Sequence, residues 1–164
     1  SYLEKIGKFD IVYSWGVIHH SGQMWKGLEN VLIPLKIKCG ILAIAIYNDQ
    51  GIKSRLWKKI KEKFNKSALH SLIIKLLFIP FYVTLYSIYG LIFHGNPLWS
   101  FINYKKSRGM SIFYDWLDWL GGFPYEVAKP EEIINYYSKK DLILKSLITT
   151  NSLGCNQFVF SYKQ

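Results

Sequence analysis

The stretch FDIVYSWGVIHH, residues 9–20, decides the fold class of this chain. Its apolar first half is typical of a buried strand, and a polar turn with two adjacent histidines follows. A second apolar run, GILAIAIYND at residues 40–49, again ends in polar side chains. Between the runs, apolar residues recur at spacings of three and four, which predicts a helix. Strand, helix and strand of this length predict a βαβ unit with parallel strands.

The carboxyl ends of such parallel strands meet at one edge of the sheet, and ligands bind outside that edge in open α/β folds. Residues 14–20 and 47–49 are therefore the first places where we expect a ligand site. Ser21 is a candidate N-cap for the intervening helix, because its hydroxyl can accept a hydrogen bond from an unpaired amide. Pro34 is expected to end or kink this helix.

Two later stretches extend the pattern, namely RGMSIFYDWLDWLGGFPYEVAKPEEI at residues 108–133 and LGCNQFVFSY at residues 153–162. With these four motifs in order, the chain resembles the second half of class I S-adenosylmethionine-dependent methyltransferases, in particular small-molecule methyltransferases with a VLHH turn. The resemblance covers nearly the whole chain, more loosely at residues 51–106. It implies an α/β fold, the C-terminal half of a Rossmann-like seven-stranded sheet with a helical lid insertion.

The family binds its cofactor, S-adenosylmethionine, chiefly through a glycine-rich loop and an acidic residue that precede this half. No G-x-G-x-G stretch occurs in the sequence. We therefore expect the C-terminal portion of a methyltransferase, inactive without its N-terminal half, which would be a partner if it is a separate chain. A split gene product, a truncated protein and a remnant are the three alternatives. The turn at residues 36–40 keeps only one glycine of the family's Lys-Pro-Gly-Gly.

The resemblance implies that the turn after the first strand contacts the cofactor. Ser14 would supply a small polar group, Trp15 an aromatic wall, and Gly16 a turn that allows close approach. His19 and His20 are the candidate catalytic residues, because an imidazole can remove a proton from an oxygen acceptor near neutral pH. The alternative is that the histidines cap the helix or pack against the sheet.

Four residues further along the chain are candidates for binding the methyl acceptor, a small or lipid-like molecule. They are Arg108, Tyr114, Asp115 and Tyr125. Instead of binding the acceptor, Arg108 and Asp115 could form a structural ion pair with each other. The choice among O-, N- and C-methylation stays open. The four histidines and two cysteines form no H-x-x-x-H or C-x-x-C pattern, so no metal ligand is predicted.

The predicted domain organisation has three parts: a βαβ core at residues 1–50, a helical lid or insertion at residues 51–120, and a core helix with a C-terminal β-hairpin at residues 121–164. The core helix should begin at Pro130, where proline suits a first helical position.

The insertion contains a strongly apolar segment, residues 72–93, interrupted by Lys75 and Pro80. We expect a pair of helices broken at Pro80, with a transmembrane helix as the alternative.

The net charge is +10, and seven of the basic residues crowd residues 53–66, where apolar residues recur every four positions. They are Lys53, Arg55, Lys58, Lys59, Lys61, Lys63 and Lys66. This amphipathic basic helix supports an alternative function as a non-catalytic membrane-surface or scaffold protein, although a solvated helix face has the same pattern. Nucleic-acid binding is a third and weaker alternative, because no base-reading motif accompanies the charge. Without a leader-like amino end or a disulfide pattern, a cytoplasmic location is predicted, with peripheral membrane contact as the alternative.

Overall fold

The computed structural model describes residues 2–163, which divide into two compact units. Of the described residues, those up to Lys58 and those from Pro124 onward form unit 1, and Lys59–Phe123 form unit 2. A short 3-10 turn, Ile18–His20, follows the first strand. The helices are α1 (Tyr2–Lys5), α2 (Met24–Asn30), α3 (Ile52–Lys66), α4 (Ala68–His94), α5 (Trp99–Arg108), α6 (Ile112–Gly121) and α7 (Pro130–Ser138), and the strands are β1 (Ile11–Trp15), β2 (Ile41–Tyr47), β3 (Leu142–Ile148) and β4 (Cys155–Tyr162).

Unit 1 is built around a four-stranded sheet with the order β1-β2-β4-β3. β1 runs parallel to β2, with Ile11 opposite Ile41, as the βαβ pattern predicts. β4 lies between β2 and β3 and is antiparallel to both, which confirms the predicted hairpin. Among the described strands, β1 and β3 therefore form the two edges of the sheet.

The core of unit 1 lies where the sheet packs against α2 and α7. Its buried side chains include Leu28 of α2, Ile44 of β2, Ile133 of α7 and Phe160 of β4. The hydroxyl of Tyr137 is buried with them and donates to the carbonyl of Leu28 at 2.9 Å, which joins the two helices. α7 begins at Pro130, as predicted, and Glu132 accepts a hydrogen bond from the amide of Lys129 at its N-terminus.

The predicted start and end of α2 are wrong. Its N-cap is Gln23, whereas the hydroxyl of Ser21 accepts a hydrogen bond from the Gln23 amide within the preceding turn. Glu126, far along the chain, satisfies the first helical amide by accepting a hydrogen bond from Met24 at 3.0 Å. The helix ends at Asn30, before Pro34 is reached.

The prediction of two helices broken at Pro80 is also wrong, because α4 is one continuous 27-residue helix that contains this proline. A proline inside a helix removes one hydrogen bond and strains the preceding turn, but it does not have to end the helix. α4 begins after Ser67, whose hydroxyl accepts a hydrogen bond from the amide of His70, and it ends at His94, before Gly95, whose φ is +65°. Within residues 2–163, α4 alone is long and apolar enough to cross a membrane by length and composition.

Candidate functional site

The candidate site lies at the carboxyl edge of β1 and β2 in unit 1. Gly16 follows β1 directly with a φ of +72°, which favours glycine over any residue with a side chain. Its amide donates to the carbonyl of Ala45 at 3.3 Å, so the turn stays close to β2. A side chain at this position would meet no heavy atom within 4 Å. The backbone of Gly16 is therefore open to a ligand.

His20 is held in one tautomer by the backbone. Its Nδ1 lies 2.7 Å from the carbonyl oxygen of Pro124. Because a carbonyl oxygen only accepts, Nδ1 carries the proton and donates it. In the neutral ring Nε2 then has a free lone pair, and the side chain is only partly buried. His20 is therefore oriented as a proton acceptor.

His19 has the opposite arrangement. The ring is buried, with 1% of its surface exposed, and its centroid lies 3.9 Å from that of Tyr47. The Tyr47 amide donates to Nδ1 of His19 at 3.3 Å, so the proton of the neutral ring is on Nε2. This contact connects the turn after β1 to the end of β2. His19 therefore positions the edge of the sheet rather than presenting a base to solvent.

A cleft of about 460 Å³ opens beside this edge within unit 1. Its polar lining includes Asp49, Arg55, Lys58 and Glu126, so both signs of charge face the same space. Tyr125 also lines the cleft, and burial raises the pKa of its phenol to about 12. At neutral pH this phenol keeps its proton and can donate a hydrogen bond.

A buried amide pair, which the sequence patterns did not reveal, fixes the loop after β2. Asn156 Nδ2 donates to Asn48 Oδ1 at 3.0 Å, and Asn48 Nδ2 donates to the carbonyl of Thr150 at 2.6 Å. The amide of Thr150 in turn donates to Asn156 Oδ1 at 3.1 Å. The three bonds join the end of β2 to the β3–β4 turn. The backbone is therefore held in place directly before Asp49.

No protein-family model matches the sequence, and no curated protein matches it. Solved structures do match. PKMT2 from Rickettsia typhi aligns with a TM-score of 0.55 and 14% identity, over 97% of this chain and 36% of that chain. The same protein in complex with AdoHcy aligns with a TM-score of 0.54 and 15% identity, over 98% of this chain and 37% of that chain.

The fold is methyltransferase-like. At these identities the likeness establishes the fold and nothing finer. The chain spans little more than a third of the length of PKMT2. The mixed α/β architecture expected from the resemblance is confirmed, and its described sheet has four strands. That these strands are the C-terminal half of a seven-stranded sheet stays a prediction.

The methyltransferase-like fold places the three predicted cofactor contacts along β1 and its turn. Ser14 is half-buried on β1, opposite Ile44 of β2. The ring of Trp15 is 40% exposed and stacks on that of Tyr13, with centroids 5.3 Å apart and planes 1° from parallel. Gly16 offers the open backbone described above. Cofactor contact by Ser14, Trp15 and Gly16 stays a prediction.

The predicted acceptor-binding residues divide between the two units. In unit 2, Arg108 Nη2 lies 3.1 Å from Asp115 Oδ2, and the hydroxyl of Tyr104 donates to the same carboxylate. These contacts fit the structural ion pair given as the alternative. Tyr114 is 70% exposed on α6, whereas Tyr125 belongs to unit 1 and is buried. Acceptor binding by these four residues stays a prediction.

Lys61 is a buried cation that the charge pattern of α3 concealed. Its side chain is fully buried, its Nζ donates to the carbonyl of Trp119, and it lies 4.6 Å from the centroid of the Trp119 ring. Burial lowers the pKa of this amine to about 8. The other six basic residues of α3 are exposed. One member of the basic run is therefore a core residue of unit 2.

Proposed function

We propose that the chain forms the catalytic edge of an S-adenosylmethionine-dependent methyltransferase. The observation that supports this most directly is the fold, which is similar to that of PKMT2, including its complex with AdoHcy. AdoHcy is the product left when S-adenosylmethionine gives up its methyl group. The position of His20 and Gly16 at the carboxyl edge of the parallel strands is consistent with the same chemistry.

The residues at this edge fit such a cofactor. Gly16 leaves space for close approach to the backbone, since nothing occupies the position of a Cβ. Bound S-adenosylmethionine supplies an electrophilic methyl group. The protein must then align an acceptor with that group and, for an oxygen acceptor, remove its proton.

His20 is the residue that we assign to proton removal. Its Nε2 accepts the proton while Nδ1–H stays bonded to the Pro124 carbonyl, which stabilises the resulting imidazolium. His19 is assigned a positioning role, because its Nδ1 already accepts the Tyr47 amide and its ring is buried. The two adjacent histidines thus divide orientation and proton transfer between them.

The proposed acceptor is a small or lipid-like molecule. The cleft beside the edge carries Asp49, Arg55, Lys58 and Glu126, together with the Tyr125 phenol, so it suits an acceptor with polar groups. We further propose that tight cofactor binding also needs a glycine-rich segment, which this sequence does not contain.

Calorimetry tests the cofactor assignment. AdoHcy is titrated into the 164-residue chain alone and into the chain co-purified with the glycine-rich half of a class I methyltransferase. We expect weak or undetectable binding to the chain alone and clear binding to the assembly. Micromolar binding to the chain alone would contradict the proposed need for a glycine-rich segment. Absence of binding by both the chain and the assembly would contradict the proposed function.

Transfer of a labelled methyl group by the assembly tests the role of His20. His20→Ala should lower turnover about 100- to 10,000-fold, the usual contribution of a positioned base, and leave AdoHcy affinity nearly unchanged. Part of the lost rate should return at higher pH, where the acceptor ionises by itself. Trp15→Ala should instead weaken AdoHcy binding, since an aromatic wall contributes contact area. Full turnover of His20→Ala would reduce the histidine to a structural residue.

A further inference from the structure

Unit 2 contains a long run of sequence without charge. No Asp, Glu, Lys or Arg lies between Lys75 and Lys105. The run includes most of α4, a helix about 40 Å long at 1.5 Å per residue. Many of its large apolar side chains face outward, and Ile92 and Phe93 are 68% and 67% exposed. An apolar surface of this extent is unfavourable in water and marks an interaction site.

α4 and α5 form an antiparallel hairpin. The ring of Trp99, at the start of α5, stacks on that of His94, at the end of α4, with centroids 3.4 Å apart. Further back, the hydroxyl of Ser100 donates to the carbonyl of Tyr86 at 3.2 Å, and the ring of Tyr104 lies 6.2 Å from that of Tyr86. The turn at residues 95–98 is therefore the tip of the hairpin.

The backbone of this tip satisfies its own hydrogen bonds. The amides of Gly95 and Asn96 donate to the carbonyls of Leu91 and Gly90, at 3.0 and 3.2 Å. The amide of Leu98 donates to the side-chain oxygen of Asn96 at 2.8 Å. Trp99 donates to the Asn96 carbonyl at 3.1 Å, and Pro97 has no amide hydrogen. Every backbone N–H at residues 95–99 is thus paired, as hydrocarbon surroundings require.

Polar side chains in the hairpin also bond to nearby backbone. Thr84 Oγ1 donates to the Pro80 carbonyl at 2.9 Å, and Asn103 Nδ2 donates to the Trp99 carbonyl at 2.9 Å. Ser100 does the same with Tyr86, as described above. Such bonds within a helix or between neighbouring helices let hydroxyl and amide side chains lie in lipid without losing their partners.

Basic residues lie at the opposite end of the hairpin from its tip. Lys75 precedes the uncharged run on α4, and Lys105 and Lys106 follow it on α5, whereas the next cation, Arg108, pairs with Asp115. The ring of Tyr104 lies beside that of Tyr86, so α5 returns along α4 to about the level of Tyr86, and Lys75 lies about 16 Å further from the tip. Both sets of cations are therefore away from the tip, on the side that we call the base. The second half of α3, which directly precedes α4 in the chain, adds three exposed lysines, namely Lys59, Lys63 and Lys66. The base is therefore suited to anionic phosphate groups.

We propose that the α4–α5 hairpin enters one leaflet of an anionic lipid bilayer, tip first, while its basic base binds the lipid headgroups. The ten residues of α5 extend about 15 Å, which is half the thickness of a bilayer's hydrocarbon core. Insertion from one side follows from the return of α5, because Lys75 and the cations that end α5 all lie on the same side of the uncharged tip. A second copy of the chain is a poorer occupant, because its base carries the same positive charge. This inference does not depend on methyl transfer.

Vesicle flotation tests the proposal. The full chain is mixed with phosphatidylcholine vesicles and with vesicles that also contain phosphatidylglycerol. We expect flotation with the anionic vesicles, and at least about tenfold weaker binding by Ile92→Asp/Phe93→Asp, since a charge in hydrocarbon is costly. The control is Ile148→Asp, an apolar position on β3 of unit 1 that is 59% exposed, and this variant should bind like the unchanged chain. Equal flotation of the tip variant would overturn the proposal.

A fluorescent label reports how the hairpin sits in the bilayer. Phe93→Cys and, as control, Lys139→Cys are labelled with an environment-sensitive dye in a Cys39→Ser/Cys155→Ser chain. The dye at position 93 should shift to the blue on anionic vesicles and resist aqueous dithionite, and the dye at position 139 should do neither. A water-exposed dye at position 93 despite full flotation would contradict leaflet insertion and favour a spanning helix. Dimers that the tip variant converts to monomers, without vesicle binding, would favour a second copy instead.

Discussion

Asn156 donates a hydrogen bond to Asn48 across 3.0 Å, and both amide side chains are buried. Asn48 directly follows β2, and Asn156 lies at the start of the neighbouring strand β4. Through Thr150 they also hold the turn that precedes β4. A polar pair in an apolar sheet specifies one register, because any slip between the strands would leave amide groups unpaired in the interior.

Replacing one member of this pair should destabilise unit 1. Asn156→Ala leaves Asn48 Oδ1 and the Thr150 amide without their partner, which typically costs about 1–3 kcal/mol of unfolding free energy. Urea denaturation followed by circular dichroism measures the change. Asn151→Ala, in the exposed turn before β4, is the control and should change the stability by less than about 0.5 kcal/mol. Equal stability of both variants would show that the pair is not needed for folding.

The two histidines should show opposite tautomers. At a pH where the rings are neutral, His20 should carry its proton on Nδ1 and His19 on Nε2, because their Nδ1 atoms donate and accept, respectively. Nitrogen-15 spectra of the histidine-labelled chain distinguish protonated from unprotonated ring nitrogens, and His20→Gln assigns the signals. The same tautomer in both rings would contradict the assigned division of roles.

Lys61 should make stability depend on alkaline pH. The folded-state pKa of about 8 lies below the ordinary lysine pKa of 10.5, so the unfolded state binds more protons between these values. The free energy of unfolding should therefore rise with pH in this window, where the cost of burying the charged amine is relieved. Relative to Lys61→Met, the chain should gain about 2 kcal/mol between pH 7 and pH 10. Lys63→Met is the exposed control, and its stability should run parallel to that of the unchanged chain.

The outer edge of β1 should mediate self-association in the isolated chain. Ile11 and Tyr13 are 64% and 65% exposed, and no described strand pairs with this edge. Unpaired edges recruit further strands, and a lysine on the edge discourages pairing. Light scattering should show oligomers of the chain and fewer of them for Tyr13→Lys. Ile148→Lys, on the other edge strand, is the comparison, and a monomeric unchanged chain at all concentrations would refute the expectation.

The secondary structure of unit 1 was largely readable from the sequence. Apolar runs marked β1 and β2, and Pro130 with two following acids marked the start of α7. These signals are local, since strand period, turn chemistry and capping each involve residues a few positions apart. The start of α2 was not readable, because the carboxylate that satisfies its first amide belongs to Glu126.

For the candidate site, the sequence predicted the location but not the roles of the residues. The βαβ pattern pointed to the edge that carries His19 and His20, yet it could not assign their roles. Those roles depend on a carbonyl at Pro124 and an amide at Tyr47, which the fold alone brings to the rings. Lys61 was hidden for a similar reason, because one lysine in a basic run gives no sign that its stem is enclosed. The predicted break at Pro80 was wrong because the cost of one proline is smaller than the stability of the long helix around it.

The carbonyl that orients His20 belongs to Pro124, the first residue of unit 1 after the chain leaves unit 2. Lengthening this 2.7 Å contact by about 1 Å would break it and leave the ring free to turn over, which exchanges its two nitrogen atoms. The orientation of the His20 ring therefore depends on Gly122 and Phe123, which connect α6 to Pro124. A force or ligand acting on these two residues would change the orientation of the ring without altering any strand.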